Sequence, residues 1–423
     1  MFSSSATQAS SNLGIENAFN VYTYAGTGST PTSITTPLYF NPVGFEWFKG
    51  RNNTAIPHTF GGTGGGIYTN STALPFATPN YISGTSGNSV LFGSSDSYQN
   101  FNYYVVFSTL PTPKFYSQLS WTGDGVARTI PHSLGSAPGM VIIKSTAGTT
   151  TDWYVWHRGL TASQTVTLNG TSAVATTNLF SSVPDANNLY MSGSLQNLVG
   201  STYSCYMWAH NAGGFGFDGA QNIVSCGTYT GNGSTTTGVT VSVGYEPQWI
   251  LVRNITSGSD WYLVDVARGA SETQSYLSLV NGSGVSNVDA LSSSASLFPI
   301  QTGFTAINNA SWTVNASGDT YIYMTIRRGP MVPPTTSSEV FAPVVSNAAT
   351  GTSMTVGLQA DMQMSRIRDA VSNTSVVDSY RGAIETLGST YAGSQVVLTN
   401  SSVAQSLGTY TNKWQTINQA VPS

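Results

Sequence analysis

The sequence predicts an all-β fold of tandem β-sandwich units, jelly-roll-like and each about 100 residues long. Three observations carry that expectation. The apolar runs are four to eight residues long, rich in Val, Ile, Thr, Tyr and Trp, and bounded by Gly, Asn, Ser and Pro. No stretch sustains the 3.6-residue period of an amphipathic helix. An ordered set of phrases also returns along the chain, the mark of a repeat architecture.

Taken in order, the phrases begin with an aromatic residue leading into Gly-x-Gly: Tyr24 to Gly28, Trp121 to Gly125 and Tyr229 to Gly233. Next comes a proline and an apolar run closed by a base: Pro42 with Phe45–Lys49, Pro138 with Met140–Lys144, and Pro247 with Trp249–Arg253. A Trp phrase ending in Arg-Gly follows in the middle copies, Asp152–Trp156 with Arg158-Gly159 and Asp260–Val264 with Arg268-Gly269. An Asn-closed step (Ile67–Asn70, Val166–Asn169, Ser278–Asn281) precedes a final aromatic run (Tyr103–Phe107, Tyr203–Trp208, Tyr321–Ile326). A weaker fourth copy holds Met362–Arg366, Val377–Gly382 and Val397–Asn400, with no convincing last run. Met362–Val371 is the best helix candidate in the chain, and its overlap with a copy of the basic-ended run favours a strand. The division that follows is an N-terminal arm at 1–20, repeats at 21–115, 116–222 and 223–329, and a linker with an incomplete repeat at 330–423. Gly329–Pro334 supplies the linker, because proline cannot continue a ladder.

Charged residues are 8% of the 423, against about 25% in ordinary soluble domains, while hydrophobic residues are 40% and aromatics 11%. That balance reads as a folded chain whose surface packs against copies of itself, because a disordered chain would be poor in aromatics. The net charge of −4 has no basic stripe, which argues against nucleic acid as a partner. The Arg pairs 327/328 and 366/368 read as structural. No run of about 20 apolar residues predicts a membrane span, and the start Met-Phe-Ser-Ser-Ser carries no secretory pattern.

No constellation for catalysis, cofactor or metal binding is expected. His58, His132, His157 and His210 stand in no consistent relation to a carboxylate, and no nucleophile elbow or Walker loop occurs. Gly61–Gly66 lacks the Lys and helix of a phosphate loop and reads as a flexible loop or a close backbone contact. Trp153, Trp156 and Trp261 suit either a sandwich core or stacking on sugar rings. Their recurrence favours the core. Arg158 and Arg268 are expected to pair with Asp152 and Asp260. Asp96 and Asp124 are loop carboxylates open to calcium, without the alternating ligands such a site needs. Cys205 and Cys226 are spaced to permit one bridge but form no framework.

The ordered phrase set resembles a repeat of tail-fibre and other virion structural proteins of tailed bacteriophages, marine ones especially. The likeness runs from about Val21 to Asn400. It includes the ending Ile326–Met331 followed by Glu339–Phe341, which looks like the junction between copies in those proteins. The first copy departs, with Ile56-Pro-His58 and the glycine tract in place of the Trp phrase. The resemblance implies a non-enzymatic virion protein of a tail fibre or surface appendage acting in host adsorption. It further implies self-association, a homotrimer by analogy, with other virion proteins as partners, and assembly in the host cytoplasm. Two alternatives stand beside it: a capsid-decoration or self-assembling sheath protein, whose incomplete fourth repeat takes a neighbour's strand or the arm Met1–Asn12, and a host-glycan-binding protein.

Overall fold

The computed structural model describes residues 13–24, 45–50, 58–61, 66–75, 105–268, 270, 279–281, 296–308, 312–329, 331, 341 and 343 in full. Elsewhere it describes the backbone of strands only. The protein is all-β, and every described strand pair is antiparallel. Its only helical elements among the described residues are single 3-10 turns at Ile15–Asn17 and Val266–Arg268.

The first stretch holds β1 (Phe19–Ala25), β2 (Thr32–Phe40), β3 (Phe45–Gly50), β4 (Thr59–Gly62), β5 (Gly65–Tyr68), β6 (Ile82–Phe92) and β7 (Tyr103–Thr109). Its main sheet runs β1-β7-β3-β4-β5, and β2 pairs with β6 apart from it. The second stretch holds β8 (Tyr116–Thr122), β9 (Arg128–Pro131), β10 (Pro138–Ala147), β11 (Tyr154–His157), β12 (Gln164–Thr167), β13 (Ala175–Thr176), β14 (Phe180–Ser182), β15 (Asn188–Met191) and β16 (Thr202–Ala209). Here the main sheet runs β8-β16-β10-β11-β12-β13, and β9, β15 and β14 form the smaller one. The third stretch holds β17 (Val224–Thr230), β18 (Val239–Ser242), β19 (Pro247–Asn254), β20 (Trp261–Asp265), β21 (Ser278–Leu279), β22 (Leu297–Ile300), β23 (Gly303–Ala306) and β24 (Thr320–Arg327). Its sheets run β17-β24-β19-β20-β21 and β18-β23-β22. In all three stretches the last strand therefore lies between the first and the third. Among the described residues the phrases read from the sequence fall on equivalent strands or their ends, and 26–28, Pro42 and Gly269 lie outside them.

Beyond these lie β25 (Ser353–Thr355), β26 (Met362–Ser365), β27 (Ser375–Asp378), β28 (Val397–Leu398) and β29 (Lys413–Gln415). Met362–Ser365 is a strand, paired with Ser375–Asp378. The sequence reading left this region without a last strand. Instead β29 pairs with β25, in the manner of a last strand with a first. Its signal was weak because only Trp414 marks it among polar neighbours.

The repeated phrases have local physical causes. A Cβ on Gly123 would come within 2.1 Å of the Leu198 carbonyl oxygen, and one on Gly231 within 2.0 Å of that of Ala316, so only glycine fits. Two residues on, Gly125 and Gly233 adopt φ of +77° and +75°. The aromatic residue before them stacks on the aromatic that opens the last strand: Trp121 on Tyr203 at 5.6 Å and Tyr229 on Tyr321 at 4.8 Å. The basic-ended runs of the second and third stretches start in a bulge, between Pro138 and Met140 and between Pro247 and Trp249, where a proline costs no ladder hydrogen bond.

Both faces of the third strand are buried, so its run shows no polar alternation. In β19, Ile250 and Val252 pack with Val241, Leu297 and Phe304 inside the third sandwich. Trp249 and Leu251 belong to a different and larger core, which is continuous through all three stretches. Truncating Leu251 to alanine removes apolar contact from that shared core. We expect a loss of about 2–5 kcal/mol, read as a lower urea midpoint at unchanged slope.

Candidate functional site: the joints between units

The shared core forms because the main sheets of the three stretches pack on one another. The units form a ring and are not strung end to end. Between the first and second, Trp153 donates its indole N–H to the Tyr68 and Ser71 carbonyls at 3.0 and 3.1 Å, and its ring meets Phe60 edge-on at 4.9 Å. Lys144 donates to the carbonyls of Thr72 and Thr151 at 2.7 and 2.6 Å. Between the second and third, Trp261 donates to the Thr167 carbonyl at 2.9 Å, and Arg253 donates to those of Gly170 and Ser172, each at 2.6 Å. The register makes Trp153 equivalent to Trp261 and Lys144 to Arg253. Tyr68 is likewise equivalent to Thr167. The two joints are thus one device used twice.

A third joint closes the ring. Thr69 donates its hydroxyl to the Val280 carbonyl at 2.6 Å, across 211 residues of chain. Trp249 packs edge-on against Trp47 at 5.7 Å and Phe107 at 6.1 Å. The turn Val266–Arg268 lies against β1. Where the three units meet, a cavity of about 10 Å³ remains between Phe45, Trp208 and Trp249, space for one water and no organic ligand. The indole N–H groups of Trp208 and Trp249 meet no acceptor among the described residues.

Each base is buried over the tryptophan it accompanies: Lys144 lies 5.9 Å from the Trp153 ring and Arg253 5.5 Å from that of Trp261. Burial pulls the Lys144 ammonium down to about 8 and the Arg253 guanidinium to about 10. The Asn-closed step holds the Trp phrase in place. Asn169 accepts from the Trp153 backbone N–H at 2.9 Å and donates to Asp152 at 2.8 Å. Asn281 does the same for Trp261 and Asp260, at 2.8 and 2.9 Å.

Those bonds overturn the expected Arg–Asp pairs. Asp152 and Arg158 flank an extended strand, and six residues of strand span about 20 Å, so they cannot meet. Arg158 instead donates to the Cys226 carbonyl at 3.4 Å, and Arg268 pairs with the buried Asp265. Trp153, Trp156 and Trp261 are all buried and cannot stack on a sugar. Only Trp156, against Phe180, lies in a sandwich interior. Asp124 is consumed in its loop, accepting from the Val126 N–H, the Asn197 amide and Arg128. Neutral Asn232 holds the equivalent place in the third unit, so the position needs an acceptor and not a charge. No cluster of metal-ligating side chains occurs among the described residues, and Asp96 lies outside them.

Gly61 and Gly62 pair with Gly66 and Gly65 across a β-hairpin, which is no phosphate cradle. Cys205 and Cys226 are free, buried thiols whose ionisation burial pushes up. Arg328 binds Glu246 at 2.6 Å and Arg327 lies over the Tyr245 ring at 5.7 Å, so both are structural. Arg366, Arg368 and the arm Met1–Asn12 lie outside the described residues.

The histidines serve the backbone. His132 accepts from the Leu134 N–H and contacts the Asp185 carbonyl, and His210 accepts from the Cys226 N–H. His157 accepts from the Gly159 N–H on Nδ1, so Nε2 carries the proton and donates to the Tyr323 carbonyl of the third unit at 3.0 Å. His58 replaces the tryptophan at the third joint, with its Nδ1 accepting from Trp47 Nε1 at 2.8 Å. Sequence reasoning missed that role. The available signal was that His58 stands nine residues after Lys49, as Trp153 stands nine after Lys144.

Two outcomes follow from the joints. Arg253→Met removes two charge-assisted bonds to the neighbouring unit and costs about 3 kcal/mol in urea unfolding, and Arg253→Lys recovers part of it because Lys144 does the same work. Burial holds His157 at about 3, below its ordinary 6.5. Its contribution is therefore complete above pH 6.5 and lost as the pH falls toward 3. At about 1.4 kcal/mol per pH unit, His157→Gln should shrink the stability difference between pH 7 and pH 5 by about 2 kcal/mol, measured by urea titration at both values.

No curated protein and no solved structure matches the chain. A family profile described as a domain of unknown function, DUF7483, matches residues 105–330. That match covers just over half of the 423 residues, the whole of the second and third units with the joint between them, and the chain belongs to the DUF7483 family.

Proposed function

We propose that this chain is a non-enzymatic structural component of a phage virion, part of a tail fibre or surface appendage that serves in host adsorption. The observation that carries the reading is where the side chains capable of chemistry are spent. The repeated bases, tryptophans and Asp–Asn pairs hold one unit to the next. A chain built this way is a block whose exposed described residues are mostly small and uncharged, which suits repeated packing in a particle. The resemblance of the ordered phrases to virion repeats supports the same reading.

The ring bears on the alternatives. It joins three like units within a single chain, so the homotrimer expected by analogy is not needed to bring three of them together. Because β29 pairs with β25 of its own chain, the decoration or sheath reading loses its argument from a missing strand. The host-glycan reading loses Trp153, Trp156 and Trp261 as platforms. Immunogold electron microscopy of intact particles, with antibody against this chain, tests the proposal. Gold at the tail or its fibres is the expected result. Gold over the head, or on filaments without heads, would replace the appendage with decoration or self-assembly, and particles without gold would remove the virion reading.

A further inference from the structure

We propose that the joint between the third and first units is a latch that acid releases, with His58 as its trigger. It is the one joint in the ring whose two units are not consecutive in sequence. It can therefore part without straining a short connection, whereas the joint between the second and third units, where the His157 contact also weakens in acid, stays tethered by the chain that runs through it.

The register places His58 where Trp153 and Trp261 stand at the other joints. An indole has nothing to protonate, whereas an imidazole does. His58 is fully buried, its Nδ1 is occupied by the Trp47 indole N–H, and its Nε2 meets no partner among the described residues. The charged groups facing it there are Lys49, on β3, and Arg268, on the third unit and bound to Asp265. Glu46 points to the opposite face of β3, where Ser108 donates to it. Protonation on Nδ1 would set two donors against each other and bring a third cation beside Lys49 and Arg268, from both sides of the joint. Burial and those two cations hold the imidazole well below its usual range.

The sign follows. The closed latch excludes the proton and the open one accepts it, so closure is fully favoured above pH 6.5 and weakens below it. Each pH unit below that value favours opening about tenfold. Opening uncovers the joint faces of Trp47, Phe107 and Trp249, which are packed together in the closed ring.

Hydrogen exchange on the intact chain at pH 7 and pH 5, corrected for intrinsic rates, tests the proposal at two amides. These are Thr69 N–H, bonded to the His58 carbonyl, and Val280 N–H, bonded to the Trp261 carbonyl. Protection of both should fall about thirtyfold at pH 5 in the native chain and stay constant in His58→Gln, which keeps an acceptor for Trp47. Undiminished protection at pH 5, or an equal loss in the variant, would overturn the latch. Should the variant fail to fold, NMR titration of the His58 imidazole in the native chain decides: loss of protection must follow uptake of one proton there, and loss that does not track it refutes the role of His58.

Discussion

The structure depends on a buried base laid over a tryptophan and aimed at the backbone of the neighbouring unit. Taking a guanidinium or ammonium out of water costs several kcal/mol. At Arg253 and Lys144 that cost is offset by charge-assisted bonds to carbonyls and by the aromatic face beneath. Three of the accepting carbonyls, those of Thr72, Gly170 and Ser172, follow the Asn-closed step of the unit before, where the chain has left the sheet. The base therefore binds the backbone of the unit before it. Because the bond is directional, it sets the angle between units as well as their adhesion. A purely apolar interface would let the sheets slide, and the carbonyl bonds remove that freedom.

The same constraint explains the composition. Among the described residues four bases, Lys49, Lys144, Arg253 and Arg268, are spent in the interior, which leaves fewer charges for the surface. Main sheets that pack face to face need third strands apolar on both sides, hence the unbroken runs Met140–Ile143 and Trp249–Val252. The cost of a sheet with two buried faces is that neither core is complete within one unit. Trp249 and Leu251 lie in the shared core while Ile250 and Val252 lie in their own, so half of each third strand has a partner only when the ring has formed.

Much of this was legible residue by residue, and little of it as a whole. The phrases mark strands because glycine, proline and aromatic residues act locally: Gly123 for a close approach, Gly125 for its φ, Pro138 for a bulge. The buried fate of the tryptophans followed from their recurrence. Recurrence, however, says that every unit needs a residue, not which unit it touches. Trp153 and Trp261 were therefore readable as core but not as the core between units. The Arg158–Asp152 pair failed for a geometric reason, since nearness in sequence is distance along a strand. The ring left no mark because its contacts, such as Thr69 with Val280, join segments that no local pattern relates.

The departures of the first unit make sense only within that ring. As a row of units, a chain with a weak first copy would be a chain with a poor end. As a ring, it has a joint unlike the other two, placed where the first and third units must find each other across the length of the chain. The joints between consecutive units are held close by short connections, and their tryptophans add adhesion to proximity. The closing joint has no such help, yet it carries a histidine in the tryptophan's place. A joint selected only for strength would repeat Trp153 and Trp261. Substituting an imidazole between Lys49 and Arg268 trades strength for sensitivity, and it does so at the one place in the ring where two units can part without pulling on a short connection.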